Sequence, residues 1–250
     1  MFELAGACFA LAAVAAVMAG VAKTGVPGFG ILAVPLMVLA VGDARHSAGF
    51  LLPLLCVADL FAVAVYRRHA QARRLFGLLP WVLGGMAAGA MALAAPERAL
   101  RLAVAAIVLV MIAVRWLREW SATKPGPPPV SPPDRWWQAA GYGASAGFAT
   151  TVANAAGPVM NLYLLARRLP KQEFVATGAW FFFVVNLAKL PVYAAHGLID
   201  RRSLACDAML IPAVVIGALL GRTVLRRLPQ KTFEALVMLL TVGAAGLLLL

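Results

Sequence analysis

The sequence predicts an all-α membrane protein that crosses the bilayer several times, and two observations support this prediction. Of the 250 residues, 63% are hydrophobic and only 13% are charged, whereas soluble domains carry roughly 25% charged residues. Apolar runs at 50–66, 75–95 and 233–250 approach or reach the roughly 20 residues that cross a bilayer core. Such runs recur along the whole chain, which excludes a water-soluble globule of this length.

Ten apolar segments follow one another along the chain. They cover residues 4–22, 30–41, 46–66, 75–95, 99–117, 136–153, 157–166, 174–196, 204–221 and 232–250. The first lacks a basic stretch before it, so it is interpreted as a membrane span and not as a signal peptide. The second and the seventh are too short to span comfortably, and the pattern allows each either to cross fully or to turn back as a re-entrant segment.

Small residues interrupt the helical pattern before each short segment. The first break, 23–30, reads Lys-Thr-Gly-Val-Pro-Gly-Phe-Gly, and the second, 153–158, reads Ala-Asn-Ala-Ala-Gly-Pro. Glycine and proline interrupt helices even at membrane depth. We therefore expect a broken or re-entrant helix pair at each position.

A proline-rich stretch divides the chain into two halves of similar length. Six prolines lie within 121–134, which is typical of an extended, stiff linker outside the membrane. The predicted organisation is a first transmembrane repeat at 1–120, a proline-rich cytoplasmic linker at 121–135, and a second transmembrane repeat at 136–250.

The two halves share residues at matching positions, which predicts an internal duplication. The pairs are Gly20 with Gly147, Gly30 with Gly157, Asp59 with Asn186 and Tyr66 with Tyr193 at an offset of 127, then Pro80 with Pro212, Gly85 with Gly217 and Gly89 with Gly221 at an offset of 132. Within each half, the order of short, long and glycine-marked segments agrees with these matches.

The distribution of basic residues orients the halves. If the ten segments alternate, sixteen Lys and Arg residues fall on one side of the membrane and five on the other. The positive-inside rule makes the first side cytoplasmic and both termini periplasmic. Each half then makes an odd number of crossings, so the repeats are inverted, each with a broken or re-entrant pair plus three spanning helices. This layout is typical of secondary transporters.

The net charge of +12 is spread in short clusters between apolar runs, which favours topology signals and contacts with anionic lipid over nucleic-acid binding. Three cysteines and three histidines are scattered without metal-ligand spacing. The sequence therefore predicts no cofactor and no metal. The predicted partners are a small anionic substrate and the lipid bilayer, and a homo-oligomer remains an open option.

Three ionisable residues are predicted to lie deep in the membrane: Lys23 in the first break, Asp59 in the third apolar segment and Lys189 in the eighth. Such groups cost several kcal/mol on insertion scales and are functional candidates by default. Two cations against one anion give a central site positive character, which suits an anion. Asp59 is the candidate for proton coupling. The alternatives are a structural pair between Asp59 and one lysine, or a Lys23 side chain that reaches a water-filled end.

The breaks supply a second part of the predicted anion site. Where a helix restarts at Gly30 or Gly157, backbone N–H groups and the positive end of the helix dipole face the membrane interior. The alternative is that these glycines only kink helices and allow close packing. The full set of substrate-binding candidates is Lys23, Thr24, Gly28, Gly30, Thr151, Asn154, Gly157, Asn186 and Lys189.

The second half carries a specific resemblance. The stretches 147–158, Gly-Phe-Ala-Thr-Thr-Val-Ala-Asn-Ala-Ala-Gly-Pro, and 181–193, Phe-Phe-Phe-Val-Val-Asn-Leu-Ala-Lys-Leu-Pro-Val-Tyr, resemble the TauE/SafE family of sulfite exporters and related organic-anion permeases. Residues 25–35 match the first-half signature, although many relatives have a denser glycine run there. The resemblance implies an inner-membrane permease for a small sulfur-containing or carboxylate anion. It implies site positions at Thr151, Asn154, Asn186 and Lys189, with Lys23 and Thr24 in the first half.

The resulting functional prediction is a secondary transporter that exports a small anion such as sulfite or a sulfonate, and not an enzyme. A passive anion channel is the first alternative. The second is an intramembrane serine hydrolase, because 143–147 reads Gly-Ala-Ser-Ala-Gly and would pair Ser145 with His196. The strand–turn–helix context that gives this motif its meaning in soluble hydrolases is absent from the sequence pattern.

Overall fold

A computed structural model of the chain describes residues 6–121 and 135–249. These residues form ten α-helices and one short 3₁₀ turn at Arg67–His69. The helices are α1 (Gly6–Thr24), α2 (Gly30–Val41), α3 (Ala44–Tyr66), α4 (Ala72–Ala92), α5 (Glu97–Ser121), α6 (Trp136–Ala153), α7 (Ala156–Ala166), α8 (Lys171–Ala195), α9 (Arg201–Arg227) and α10 (Gln230–Leu247). Each apolar segment of the sequence corresponds to one helix. The predicted linker at 121–135 falls almost wholly outside the described residues.

The apolar character and length of the helices confirm a polytopic membrane protein. Six of the described helices, α1, α3, α4, α5, α8 and α9, are long and apolar enough to cross a bilayer. Large apolar side chains also lie on the outside of the helices, where Met91 is 83% exposed and Phe76 is 69% exposed. Such surfaces suit contact with lipid tails and not with water.

The two short helices fall well below the length of a bilayer core. Helix α2 has 12 residues and α7 has 11, so each is about 17 Å long against a core of about 30 Å. Their starts differ from the prediction in detail. Lys23 and Thr24 end α1, so the first break begins at Gly25. In the second break only 154 and 155 are non-helical, and Gly157 lies in the first turn of α7.

The helices assemble into two compact units that do not follow the halves of the sequence. The first unit combines residues 1–70 with 171–233, and the second combines 71–170 with 234–250. The first therefore holds α1, α2, α3, α8 and α9, and the second holds α4, α5, α6, α7 and most of α10. Each unit draws helices from both predicted repeats.

In the first unit, α1 packs along α9 through glycines. A Cβ atom on Gly20 would overlap the carbonyl oxygen of Val214, and one on Gly217 would overlap that of Val17. A larger side chain at either position would force the backbones apart. This close approach is the small-residue packing typical of membrane helices.

In the second unit, α4 packs along α6 in the same way. A Cβ atom on Gly147 would overlap the carbonyl oxygen of Val82, and one on Gly85 would overlap that of Ala144. Gly147 and Ala144 lie 127 residues after Gly20 and Val17, and Gly85 and Val82 lie 132 residues before Gly217 and Val214. These are the offsets predicted for the two halves. We call each of these glycine contacts, α1 with α9 and α4 with α6, a seam. The same contact therefore occurs once in each unit.

Candidate functional site

A buried ion pair between α1 and α3 lies in the first unit. Nζ of Lys23, in the last turn of α1, lies 2.8 Å from Oδ1 of Asp59 on α3. The side chain of Asp59 is fully buried and that of Lys23 is 12% exposed. Lys23 therefore forms the ion pair with Asp59 that was one of the alternatives raised for it.

Asn186 completes the coordination of the carboxylate. Its Nδ2 donates a hydrogen bond of 2.8 Å to Oδ2 of Asp59, and Asn186 is only 4% exposed. Lys23 and Asn186 therefore each hold one oxygen of the same carboxylate. Asp59 and Asn186 are predicted repeat equivalents at the offset of 127, so the contact joins two positions that the sequence comparison pairs.

Lys189 adds a second buried cation to this group. It lies one helical turn after Asn186 on α8 and is 6% exposed. It is close enough to Lys23 for the two charges to repel each other. With both lysines protonated and Asp59 ionised, the three residues carry one net positive charge in a buried environment, where an anion would be bound favourably.

Phe182 is a member of the site that the sequence analysis missed as a functional residue. Nζ of Lys23 lies 4.0 Å from the centroid of the Phe182 ring, which is within cation–π distance. Phe182, Asn186 and Lys189 are spaced by four and three residues and therefore share one face of α8. That spacing is the signal that could have placed Phe182 beside the two polar residues.

The Thr24 side chain is hydrogen-bonded to backbone carbonyl groups. Its hydroxyl lies 3.0 Å from the carbonyl oxygen of Gly20 and 2.7 Å from that of Ala218 on α9, and Thr24 is fully buried. Tyr66 donates a hydrogen bond of 3.0 Å to the carbonyl oxygen of Thr24. The end of α1 is thus fastened to α9 and to the end of α3, next to Lys23.

The glycines of the first break shape the start of α2. Gly28 has φ of +115°, a conformation that side chains rarely adopt. The N–H groups of Ile31 and Leu32 donate to the carbonyl oxygens of Gly28 and Phe29 at 3.0 and 3.1 Å. Two of the amides that we expected to face an anion from the Gly30 end are therefore already hydrogen-bonded within the turn.

The remaining three candidates belong to the second unit. The Thr151 hydroxyl donates to the carbonyl oxygen of Gly147 at 3.0 Å. Asn154 ends α6 in the left-handed conformation, with φ of 51°, a backbone geometry that Asn tolerates better than most residues. Nothing crowds the Cα of Gly157. A substrate contact at Thr151, Asn154 or Gly157 stays a prediction.

Asp207 is a buried carboxyl that the sequence analysis overlooked. It lies in α9 of the first unit, is 4% exposed, and neither of its carboxylate oxygens has a hydrogen-bond partner among the described residues. The signal was in the sequence, because Asp207 is the one acidic residue in the apolar segment 204–221. The criterion applied to Asp59 would have selected it.

The hydrolase alternative gains no support from the local geometry. Ser145 lies in the middle of α6, a continuous helix, and not at the sharp turn that exposes a nucleophile in soluble hydrolases. Nδ1 of His196 lies 2.8 Å from the carbonyl oxygen of Val192, one turn earlier along the chain. The described residues also contain no group of three or more His, Cys, Asp or Glu side chains that could hold a metal ion.

Comparison with known proteins identifies the family. Neither the curated proteins nor the solved structures gave a significant match. A family model described as sulfite exporter TauE/SafE matches residues 9–248 of the 250, which confirms the resemblance seen in the sequence. The chain is therefore a member of the TauE/SafE family of membrane transporters of sulfite-type anions.

Proposed function

We propose that this protein exports sulfite or a closely related small sulfur oxyanion or sulfonate across the bacterial inner membrane. The observation that carries this proposal is the buried group of Lys23, Asp59, Asn186 and Lys189 in the first unit. It places two cations and one carboxylate in a membrane-buried environment. A small anion would be attracted by the excess of cationic side chains in the group.

The lysines have different roles in this proposal. Lys23 is already engaged by Asp59 and lies over the Phe182 ring, so it holds the carboxylate in place. Lys189 is the main contact for the substrate. Asn186 fixes the orientation of Asp59 through one amide hydrogen, while its other N–H can donate to the substrate.

Asp59 is proposed as the proton-linked group. Protonation of its carboxyl would weaken the attraction to Lys23 and raise the positive charge of the site by one unit, which strengthens anion binding. An Asp59→Asn variant mimics the protonated form, so its transport rate should depend less on pH than that of the wild-type protein. An unaltered pH profile in a variant that still transports would remove this role.

The transport mechanism proposed is that of a carrier. The glycine seams of the two units match at repeat positions, and inverted repeats with broken helices are typical of alternating access. The inverted orientation, the periplasmic termini and the cytoplasmic linker are part of this proposal. A reporter enzyme that works only in the periplasm, fused after residue 250, should be active.

The test of function is sulfite flux in proteoliposomes made with the purified full-length protein. We expect saturable uptake and counterflow, in which unlabelled sulfite trapped inside accelerates the entrance of labelled sulfite. Sulfate, thiosulfate, taurine and acetate serve as competitors that define the substrate class. Flux at channel-like rates without counterflow would favour the passive anion channel, and no flux of any of these anions above empty liposomes would contradict the proposal.

A further inference from the structure

A small cavity lies in the first unit where α3 and α9 end and α8 begins. Its volume is about 100 Å³, far below the 300–1,000 Å³ of pockets for drug-sized ligands. The polar side chains that line it are Tyr66, His69, Gln172, Arg222 and Arg226, together with two aliphatic side chains. The size suits a single small ion and not a nucleotide or an acyl chain.

The chemistry of the lining favours an anion. Arg222 and Arg226 are four residues apart on α9, so their side chains project from one face. Both side chains line the same small cavity as Tyr66, and both charges act on its phenol. The lining includes no acidic side chain. Two like charges at this spacing repel each other, and an anion between them would offset the repulsion.

Nothing in the described part of the chain neutralises these two arginines. The ion pairs Lys23–Asp59 and His46–Asp43 do not involve them, and among the described residues neither guanidinium group takes part in a side-chain hydrogen bond. The adjacent end of α9 is instead capped by Lys171, whose Nζ donates to the carbonyl oxygens of Leu225 and Leu228 at 2.7 and 2.6 Å. The capping cation reduces the negative potential of the helix end, which would otherwise repel an anion.

Tyr66 links the cavity to the end of α1, which carries Lys23. Tyr66 lines the cavity and donates its hydroxyl proton to the carbonyl oxygen of Thr24, the residue after Lys23. A ligand that moves the Tyr66 ring would therefore act on the end of α1. The cavity nevertheless shares no lining residue with Lys23, Asp59, Asn186 and Lys189, so it is a separate location.

We propose that this cavity is a second anion site, in which Arg222 and Arg226 bind one small oxyanion and Gln172 and His69 complete its rim. Arginine pairs suit sulfur and phosphorus oxyanions because the guanidinium fork donates two parallel hydrogen bonds. The occupant is either a free oxyanion, such as the transported one, or the phosphate of a lipid headgroup. The site goes beyond the proposed transport function and does not depend on it.

The test uses anion-induced shifts of the melting temperature of the full-length protein in a neutral detergent. Sodium sulfite and sodium phosphate are the probes, and sodium chloride at equal ionic strength is the reference. All proteins carry Lys189→Gln, so that binding at the buried site does not mask the cavity. Into this background we introduce the pair Arg222→Gln and Arg226→Gln. The charge-matched control is the pair Arg201→Gln and Arg202→Gln, which are exposed at the other end of α9.

We expect the cavity pair to raise the anion concentration for a half-maximal shift about 10-fold, because two charge-assisted hydrogen bonds from partly exposed arginines are lost. The control pair should leave it unchanged. Arg222→Lys with Arg226→Lys keeps the charge without the fork and should fall between the two. If Lys189→Gln alone leaves the anion-induced shift of the melting temperature as it is in the wild-type protein, the assignment of the buried site is wrong. The comparison of the cavity pair with the control pair still tests the cavity.

A second arm distinguishes the source of the oxyanion. The same proteins are reconstituted in phosphatidylcholine vesicles with and without phosphatidylglycerol. Stabilisation by phosphatidylglycerol that the cavity pair abolishes and the control pair retains identifies a lipid phosphate. A response to sulfite or phosphate alone identifies a free anion. Equal behaviour of the cavity and control pairs in both arms would overturn the proposal.

Discussion

Asp59 and Asn186 contact each other directly, with Nδ2 of Asn186 2.8 Å from Oδ2 of Asp59, although they are 127 residues apart. The sequence comparison predicts that they are equivalent positions of the two halves. A residue that touches its own repeat equivalent lies on, or next to, the pseudo-symmetry axis that relates the repeats. Transporters with inverted repeats place their substrate sites near this axis. The contact therefore supports both the repeat assignment and the location of the proposed site.

The ion pair between Lys23 and Asp59 should be important for stability. Lys23→Met leaves a fully buried carboxylate without its cation, and removal of one partner of a buried pair costs about 3–5 kcal/mol. Asp59→Asn in the same protein removes the orphaned charge, so the double variant should recover part of the loss. The free energy of unfolding in mixed detergent micelles gives the coupling energy directly. Additive losses would mean that the two residues do not interact.

The seam between α4 and α6 offers a comparison of adjacent glycines. Gly85→Ala places a Cβ atom against the backbone of Ala144 and should destabilise the protein by about 1–3 kcal/mol, the usual cost of overpacking. Gly84→Ala meets nothing and should be neutral or stabilising by up to about 1 kcal/mol. The measurement is the melting temperature of each variant, which should fall for Gly85→Ala and not for Gly84→Ala. Equal changes in both variants would contradict the close approach of α4 and α6 at Gly85.

The repeat equivalence makes the same prediction for the other unit. Gly217→Ala meets the backbone of Val17, so it should destabilise the protein in the same direction as Gly85→Ala. A harmless Gly217→Ala beside a damaging Gly85→Ala would show that the two seams are not equivalent.

Asp200 should make stability depend on pH at acidic values. It caps α9, and hydrogen bonding from the Ser203 backbone holds the pKa of Asp200 below its ordinary value. A lowered folded-state pKa contributes stability above the unfolded value of about 3.9, and this is lost as the pH falls through the folded value. Asp200→Asn should keep most of the cap but lose this pH dependence, whereas Asp200→Ala should lose both. Melting curves between neutral and acidic pH that stay parallel for all three proteins would contradict the assignment.

Asp207 should lower the stability of the fold. A buried polar group without a hydrogen-bond partner costs about 1–3 kcal/mol, so Asp207→Leu should raise the melting temperature. If the sulfite flux of the stabilised variant falls at the same time, the residue is retained for transport. A lower melting temperature would indicate that Asp207 has a partner in the folded membrane protein.

Most of the fold was predictable because lipid imposes simple rules on the sequence. The predicted segments 30–41 and 136–153 coincide with the helices Gly30–Val41 and Trp136–Ala153. The exchange of helices between the halves was not predicted. Glycine matches such as Gly20 with Gly147 predict a duplication, but they do not identify the helix that packs against each glycine.

The candidate site was predictable in part. Lys23, Asp59, Asn186 and Lys189 were selected because polar groups are costly in lipid, and they lie together in the first unit. The hydrogen bonds of Thr24 to backbone carbonyls could not be anticipated. A threonine hydroxyl serves equally well as a substrate ligand or as a packing contact, and only the position of α9 beside α1 decides between these uses.

The most direct test of the account is equilibrium binding of sulfite to the purified wild-type protein and to Lys189→Gln. Loss of one charge-assisted hydrogen bond in a buried site should weaken binding about 10- to 100-fold. The exposed Lys231→Gln is the charge-matched control and should bind as the wild-type protein does. Wild-type affinity in Lys189→Gln would contradict the central claim that the buried lysine contacts the transported anion.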